Sequence, residues 1–436
     1  MKKITLIALK NRIIVLALSV GTLIFITLFI TAHDKGYYFM FTSIVGMSVF
    51  LELGLNYTIS QYCSHLVRNK NNIEGINNNN ELKIIIKYGI TESFKTTLKI
   101  LVLFIGLGGT LIYYKKNVSY YGFFDGIMYA WLLISIFASI DCFLSSFVMI
   151  LEGCGEQIEM EKLKIITNLI KSVTLWIGIL FEFGLFSIGL SYIASTFIVA
   201  YWILKKYKYF FNECLSYKNT VELIKIKKEI KTFEKRIALS WFSGAFVSYS
   251  FVPILMLNMR PEEVGKIGIM LHVLNSVNYL AITIITVANF NLCNLVALNQ
   301  HSNMNKLFKK IFIISCAFEF VAISTIIILI NIIDGYSKSI ADRFLSVENI
   351  ILLSIIFFQN HIVSCLSVYL RIYKIEAFYI LSIIVGISVP ISNYYGSYNH
   401  DLSSVIYYYF IINTTIYFMG SFIIFRHHRD SLDKII

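Results

Sequence analysis

The sequence predicts an all-α integral membrane protein, with twelve transmembrane helices in two six-helix bundles. Three observations predict this. Of 436 residues, 57% are hydrophobic and only 15% are charged, whereas a soluble domain carries roughly 45–50% apolar and about 25% charged residues. The mean hydropathy is +0.70. The apolar residues also fall into twelve runs, each long enough to cross a bilayer, which takes about 20 residues of helix. Together the runs leave no room for a sizeable water-soluble domain. An ordinary soluble enzyme, a disordered chain and a secreted scaffold are excluded.

The spans follow in chain order. Span 1, Ile13 to Ala32, holds no charge. It is too long for the apolar core of a cleaved signal peptide. Span 2 runs from about Tyr37 to Tyr62 and is interrupted only by Glu52. Span 3 is about Ser93 to Tyr114, with Lys95 and Lys99 in its first turns. Span 4, about Gly122 to Leu151, contains Asp125 and Asp141. Span 5, about Leu163 to Phe181, contains Lys164 and Lys171. Span 6, Phe183 to Leu204, is uncharged. Span 7 is Ile237 to Met259, and span 8 starts near Lys266 and carries His272. Span 9, about Ile311 to Ile333, carries Glu319. Span 10, Asn349 to Leu370, carries His361. Span 11 is Ala377 to Tyr398 and span 12 is Leu402 to Phe425. Proline occurs three times, at Pro253, Pro261 and Pro390, so most of these helices should run unbroken.

Twelve crossings place both termini on one side. The tails and even-numbered loops, with Lys164 at the mouth of span 5, hold 28 Lys and Arg against 7 in the odd-numbered loops, so both termini are expected in the cytoplasm. This sign asymmetry accounts for the net charge of +12 without nucleic acid as a partner. The longest connection, 205–236, is strongly basic. Leu223, Ile226, Ile230, Phe233 and Ile237 form a helical apolar stripe among lysines, the pattern of an amphipathic helix at an anionic membrane surface. A solvated basic loop is the alternative. The chain is thus expected to comprise a lobe at 1–204, a basic linker at 205–236 and a second lobe at 237–436.

Ionisable groups in a bilayer core are costly and face a cavity or a partner. Glu52, Asp141, Lys171, Glu319 and His361 each fall roughly 12–15 Å along the axis from the cytoplasmic end of their span, near the midplane. They are expected to share one polar chamber. Locking ion pairs between helices are the alternative, with Asp141 and Lys171 on consecutive spans as the clearest case. On span 8, His272, Asn275, Asn278 and Tyr279 are expected on one face, where amides and imidazole can hydrogen-bond sugar hydroxyls. They could equally bond neighbouring helices. The seven cysteines are scattered without CxxC spacing, so no metal site is expected. GxxxxGK[ST], HExxH, GxSxG and GxGxxG are absent in usable contexts. No catalytic residue and no cofactor is expected.

Several segments carry a family resemblance. Gly36-Tyr-Tyr-Phe-Met-Phe-Thr-Ser-Ile, Phe50-Leu-Glu-Leu-Gly-Leu and Gln61-Tyr-Cys-Ser-His65 resemble the second-helix region of Wzx-type polysaccharide repeat-unit flippases. Leu151-Glu-Gly, Trp241-Phe-Ser-Gly, Pro261-Glu-Glu-Val-Gly-Lys and Tyr369-Leu-Arg-Ile-Tyr-Lys-Ile-Glu-Ala-Phe resemble later segments in the same order. Glu52, Glu152, Pro253, Pro261, Arg371, Lys374 and Glu376 match pattern positions. In the last segment Tyr373 and Ala377 replace the usual His and Pro. The resemblance implies the multidrug/oligosaccharidyl-lipid/polysaccharide (MOP) exporter fold, similar to MATE transporters. It implies flipping of undecaprenyl-diphosphate-linked O-antigen or capsule units across a bacterial inner membrane, beside polymerase and chain-length machinery.

On that reading Lys95, Lys99, Lys171 and Arg371 would offset the diphosphate charge, and His272, Asn275 and Asn278 would meet the sugars. Glu52, Asp141 and Glu319 would couple transport to H⁺ or Na⁺. The rival expectations are a membrane glycosyltransferase or polymerase on the same lipid-linked glycan, and a drug/cation antiporter.

Overall fold

The structure is a computed structural model describing residues 2–52, 54–67, 80–116, 126–217, 246–336, 342–373, 375, 377–399 and 401–435. Every regular element among them is helical, the arrangement in which a membrane-embedded backbone satisfies its own hydrogen bonds. The chain divides into two compact units, Met1–Tyr249 and Ser250–Ile436.

The first unit contains α1 (Lys2–Phe29), α2 (Ala32–Gly46), α3 (Ser48–Glu52), α4 (Leu55–Val67), α5 (Asn80–Lys116), α6 (Gly126–Gly153), α7 (Gln157–Leu180) and α8 (Phe186–Ser216). A further helix, α9 (Phe246–Asn258), straddles the division. The second unit continues with α10 (Pro261–Ala297), α11 (His301–Tyr336), α12 (Val347–Ile372), α13 (Tyr379–Tyr398) and α14 (Leu402–Ile412). A π-helical turn, Asn413–Phe418, then leads into α15 (Met419–Ile435).

Among the described residues, ten helices are long and apolar enough to cross a membrane. The path α2–α4 and the helix α9 occupy the places of spans 2 and 7. Span 2 is not the continuous helix the sequence suggests. It breaks after Gly46 and again between α3 and α4, where Gly54 takes a φ of 74°. Glycine alone enters that region at little steric cost. At Gly46 a Cβ would meet the Tyr249 ring at 2.2 Å. An apolar count cannot register either constraint.

The helices also outrun their apolar runs. α5 and α10 have 37 residues each, about 55 Å at 1.5 Å per residue, against a hydrocarbon core of about 30 Å. The last stretch of α8, up to Ser216, lies in the region expected as linker. The expected interfacial helix of 205–236 falls mostly on 218–245, outside the described residues.

Polar contacts gather at one end of the first unit. Lys164 pairs with Glu152, Asn11 donates to Glu161 at 2.8 Å, and Lys206 to Glu159 at 2.8 Å. These tie α1, α6, α7 and α8 together.

Within each unit the helices pack in the same order, although the sequence halves show no clear repeat. In the first, α6 packs on α4, α5 and α8, while α7 packs on α1 and α8. In the second, α12 packs on α10, α11 and α14, while α13 packs on α14 and is bonded to α9 through Asn258 and Ser397 at 2.9 Å. The fourth and tenth spans are therefore the central struts. Outward apolar side chains such as Val102 (72% exposed) and Ile423 (68%) suit a hydrocarbon surrounding.

Candidate functional site

In the first unit, α6, α7 and α8 bring a charge pair together. Lys171 Nζ lies 3.4 Å from Asp141 Oδ2 and 3.5 Å from the centroid of the Tyr192 ring. Asp141 Oδ1 accepts from Ser195 Oγ at 3.3 Å. The ammonium is thus held by a carboxylate on one helix and an aromatic face on another, a contact that strengthens when water is excluded. The Lys171 and Asp141 side chains keep 31% and 30% exposure, so the pair is reachable.

Glu52 ends α3 at the break in span 2. Its Oε2 accepts from Asn56 Nδ2 at 3.2 Å. The two line a small recess shared with Ser93, Thr96 and Thr97 of α5 and Cys142 of α6. Ser93 Oγ is buried there without a hydrogen-bond partner. Cys142 follows Asp141 directly, so recess and charge pair adjoin. Lys95 and Lys99 lie on an exposed face of α5, and Lys95 is paired with Glu92 at 3.0 Å. Neither joins the Lys171 group.

In the second unit, Glu319 of α11 and His361 of α12 are both 0% exposed. Their Oε2 and Nδ1 atoms are 3.0 Å apart, out of line for a regular hydrogen bond. Asn278 Nδ2 of α10 donates to Glu319 Oε1 at 3.3 Å. His361 Nε2 lies 2.9 Å from Ser315 Oγ and 3.4 Å from Cys365 Sγ. Next to His361, Gln359 bonds the π-helical turn: its Oε1 accepts from Asn413 at 2.9 Å and from Thr414 at 3.2 Å. Such turns often mark functional helices.

Of the five polar groups expected at one depth, Glu52, Asp141 and Lys171 belong to the first unit and Glu319 and His361 to the second; within their units Asp141 pairs with Lys171 and Glu319 meets His361. The residues expected on one face of span 8 have different surroundings. Six residues of helix are about 600° of rotation, leaving Asn278 about 120° from His272. Asn278 turns to Glu319, while Asn275 and Tyr279 are exposed and His272 is half-buried. Arg371 is exposed in the last turn of α12, and Lys374 and Glu376 lie outside the described residues. Pro261 opens α10 at a position where its missing N–H costs nothing, and Pro390 sits inside an intact α13.

Sequence reasoning missed Asn56, Cys142, Tyr192, Ser195, Ser315 and Cys365. Asn56 and Cys365 stand four residues after Glu52 and His361, a spacing that places them on one helix face and that was open to reading. Among the described residues no group of three or more His, Cys, Asp or Glu is arranged to hold a metal ion.

No family model matches the sequence, and no curated protein matches it. The fold is similar to several solved structures. An inward-facing multidrug-resistance MATE-family transporter of the MOP superfamily aligns with a TM-score of 0.71 and 12% identity, over 98% of this chain and 99% of its own. The lipid II flippase MurJ in an inward closed conformation aligns with a TM-score of 0.67 and 13% identity, over 98% and 88%. A MOP-superfamily transporter from Pyrococcus furiosus, described as having a binding pocket of reversed polarity, aligns with a TM-score of 0.55 and 12% identity, over 99% and 96%. The chain has the all-helical fold of MOP-superfamily transporters.

Proposed function

We propose that this protein moves an undecaprenyl-diphosphate-linked oligosaccharide, an O-antigen or capsule repeat unit, from the cytoplasmic to the outer leaflet of a bacterial inner membrane. It would do so by alternating access, driven by an ion gradient and without making or breaking a covalent bond. Both termini would lie in the cytoplasm, and the product would pass to polymerase and chain-length proteins.

Whole-length similarity in fold to a lipid II flippase makes a lipid diphosphate a reasonable cargo. The observation that carries the choice is Lys171, an intramembrane ammonium still partly exposed beside its carboxylate. Weak screening in such a site strengthens its attraction for a diphosphate. Lys95, Lys99 and Arg371, all exposed, would meet the diphosphate nearer the entry, and His272 and Asn275 would meet the sugars. Glu52 and Asp141 remain candidate ion sites in the first unit. The likeness to a MATE transporter keeps a drug/cation antiporter as the second reading.

Complementation separates the two. The gene should restore surface polysaccharide to a strain lacking its own repeat-unit flippase, and Lys171→Glu should insert normally but leave lipid-linked units on the cytoplasmic leaflet. An antiporter would instead give drug resistance and no polysaccharide.

A further inference from the structure

The hydrogen bonds around His361 fix where its hydrogen sits. Ser315 Oγ has one hydrogen and donates it to the Ala281 carbonyl oxygen at 2.6 Å. Towards His361 Nε2, 2.9 Å away, the hydroxyl can then only accept, so Nε2 carries the ring hydrogen. A neutral imidazole in that tautomer leaves Nδ1 bare. Nδ1 faces Glu319 Oε2 at 3.0 Å, and neither atom has another hydrogen-bond partner. The other carboxylate oxygen is taken by Asn278. With an ionised carboxylate, an anionic oxygen and a bare nitrogen would lie 3.0 Å apart with both side chains fully buried, and the negative charge would stand uncompensated, a costly state. One proton taken up by the pair removes both conflicts.

We propose that Glu319 and His361 form a proton-binding site, with one proton held by the pair on Oε2 or on Nδ1, and that its uptake and release couple transport to the proton gradient. The site itself follows from the geometry; its coupling role rests on the transport reading given above. The titratable groups facing the pair are the thiols of Cys316 on α11 and Cys365 on α12. From α10 come the Asn278 amide and the Ala281 carbonyl. Tyr409 of α14 bonds Asn360 instead.

The two partners stand on different helices. Release of the proton leaves a charge that is relieved only if α11 and α12 part enough to admit water. Proton occupancy and the packing of these helices are thereby linked, and each biases the other by the same free energy.

The test uses full-length protein, wild type and Glu319→Gln, with His361→Asn as a second variant. Glutamine is near-isosteric and can donate to Nδ1, so it should assemble while losing the titrating oxygen. Infrared difference spectra between high and low pH should show a carboxylic-acid band in wild type that is absent in Glu319→Gln and altered in His361→Asn. In liposomes carrying a lipid-linked oligosaccharide, an imposed pH gradient should accelerate translocation by wild type, and Glu319→Gln should lose about 5–150-fold of that acceleration. An unchanged band in Glu319→Gln overturns the site. Wild-type acceleration by a pH gradient in Glu319→Gln, or by a Na⁺ gradient alone, overturns the coupling role. A Glu319-dependent band in a protein that translocates no lipid would leave the proton site standing and remove the flippase reading instead.

Discussion

Lys171 and Asp141 carry the most direct residue-level prediction. Removing one partner strands the other's charge in the membrane. Because each side chain keeps about 30% exposure, the cost of Lys171→Ala should fall between the ~1 kcal/mol of an exposed pair and the ~3–5 kcal/mol of a buried one. The double variant with Asp141→Ala should recover part of that loss in thermal unfolding. A double variant no more stable than the worse single variant would remove support for the interaction. Asp401 tests a different effect. It caps α14, accepting from Ser403 N and Ser404 N at 3.1 Å and from the Ser404 hydroxyl at 2.7 Å. The Ser404 hydroxyl, helped by those backbone N–H groups, holds its carboxyl below the usual carboxylate range. A depressed value stabilises the fold above the unfolded pKa of about 3.9 and ceases to do so as pH falls through the folded value. Asp401→Ala should therefore cost about 1 kcal/mol at neutral pH, and the difference from wild type should vanish in strong acid. At this scale the sequence revealed the intramembrane charges, because a charge in an apolar run is conspicuous. It did not reveal Tyr192, Ser195 or Ser315, because uncharged polar residues on membrane helices are ordinary and only tertiary contact selects them.

Between elements, glycine governs the closest approaches. A Cβ on Gly153 would meet Ser60 O at 2.4 Å and Ser60 Cα at 2.9 Å. These are backbone atoms of α4, which cannot swing aside as a side chain would. Gly153→Ala should therefore push α6 from α4 and cost about 1–3 kcal/mol, read as a lowered melting temperature in detergent. Gly54→Ala should cost about 1–2 kcal/mol through its left-handed backbone and should disturb the approach of Glu52 to Asn56. A variant as stable as wild type with intact transport would show that the break in span 2 is incidental. The twelve apolar runs were legible because burial in lipid demands about 20 consecutive apolar residues. Helix ends were not: α5 and α10 have 37 residues each, more than a crossing requires, so an apolar count does not mark where they stop. The break at Gly46 and Gly54 was equally hidden: it depends on backbone conformation and on Tyr249, far away in the chain.

For the whole molecule, the count of basic residues predicts that residues 205–236 face the cytoplasm. A cysteine placed at Asn219, in a background without the native cysteines, should resist an impermeant thiol reagent on intact cells and react once the membrane is opened. Ready labelling from outside would reverse the topology. The two-unit organisation was visible only as a basic stretch between two sets of six runs. The matching packing order of the units was not visible, because packing constrains side-chain volume and helix geometry and leaves residue identity free. The contact of Glu319 with His361 was hidden for a related reason: depth along a helix is legible, whereas direction around it depends on which neighbours pack there. The central claim, translocation of a lipid-linked oligosaccharide without chemistry, is tested most directly in liposomes. Purified protein should carry such a lipid from one leaflet to the other under an ion gradient, exposing its glycan to an impermeant probe while the lipid is recovered chemically unchanged. No gain in exposed glycan over protein-free liposomes would contradict the account, as would release of undecaprenyl diphosphate or lengthening of the glycan by the protein alone.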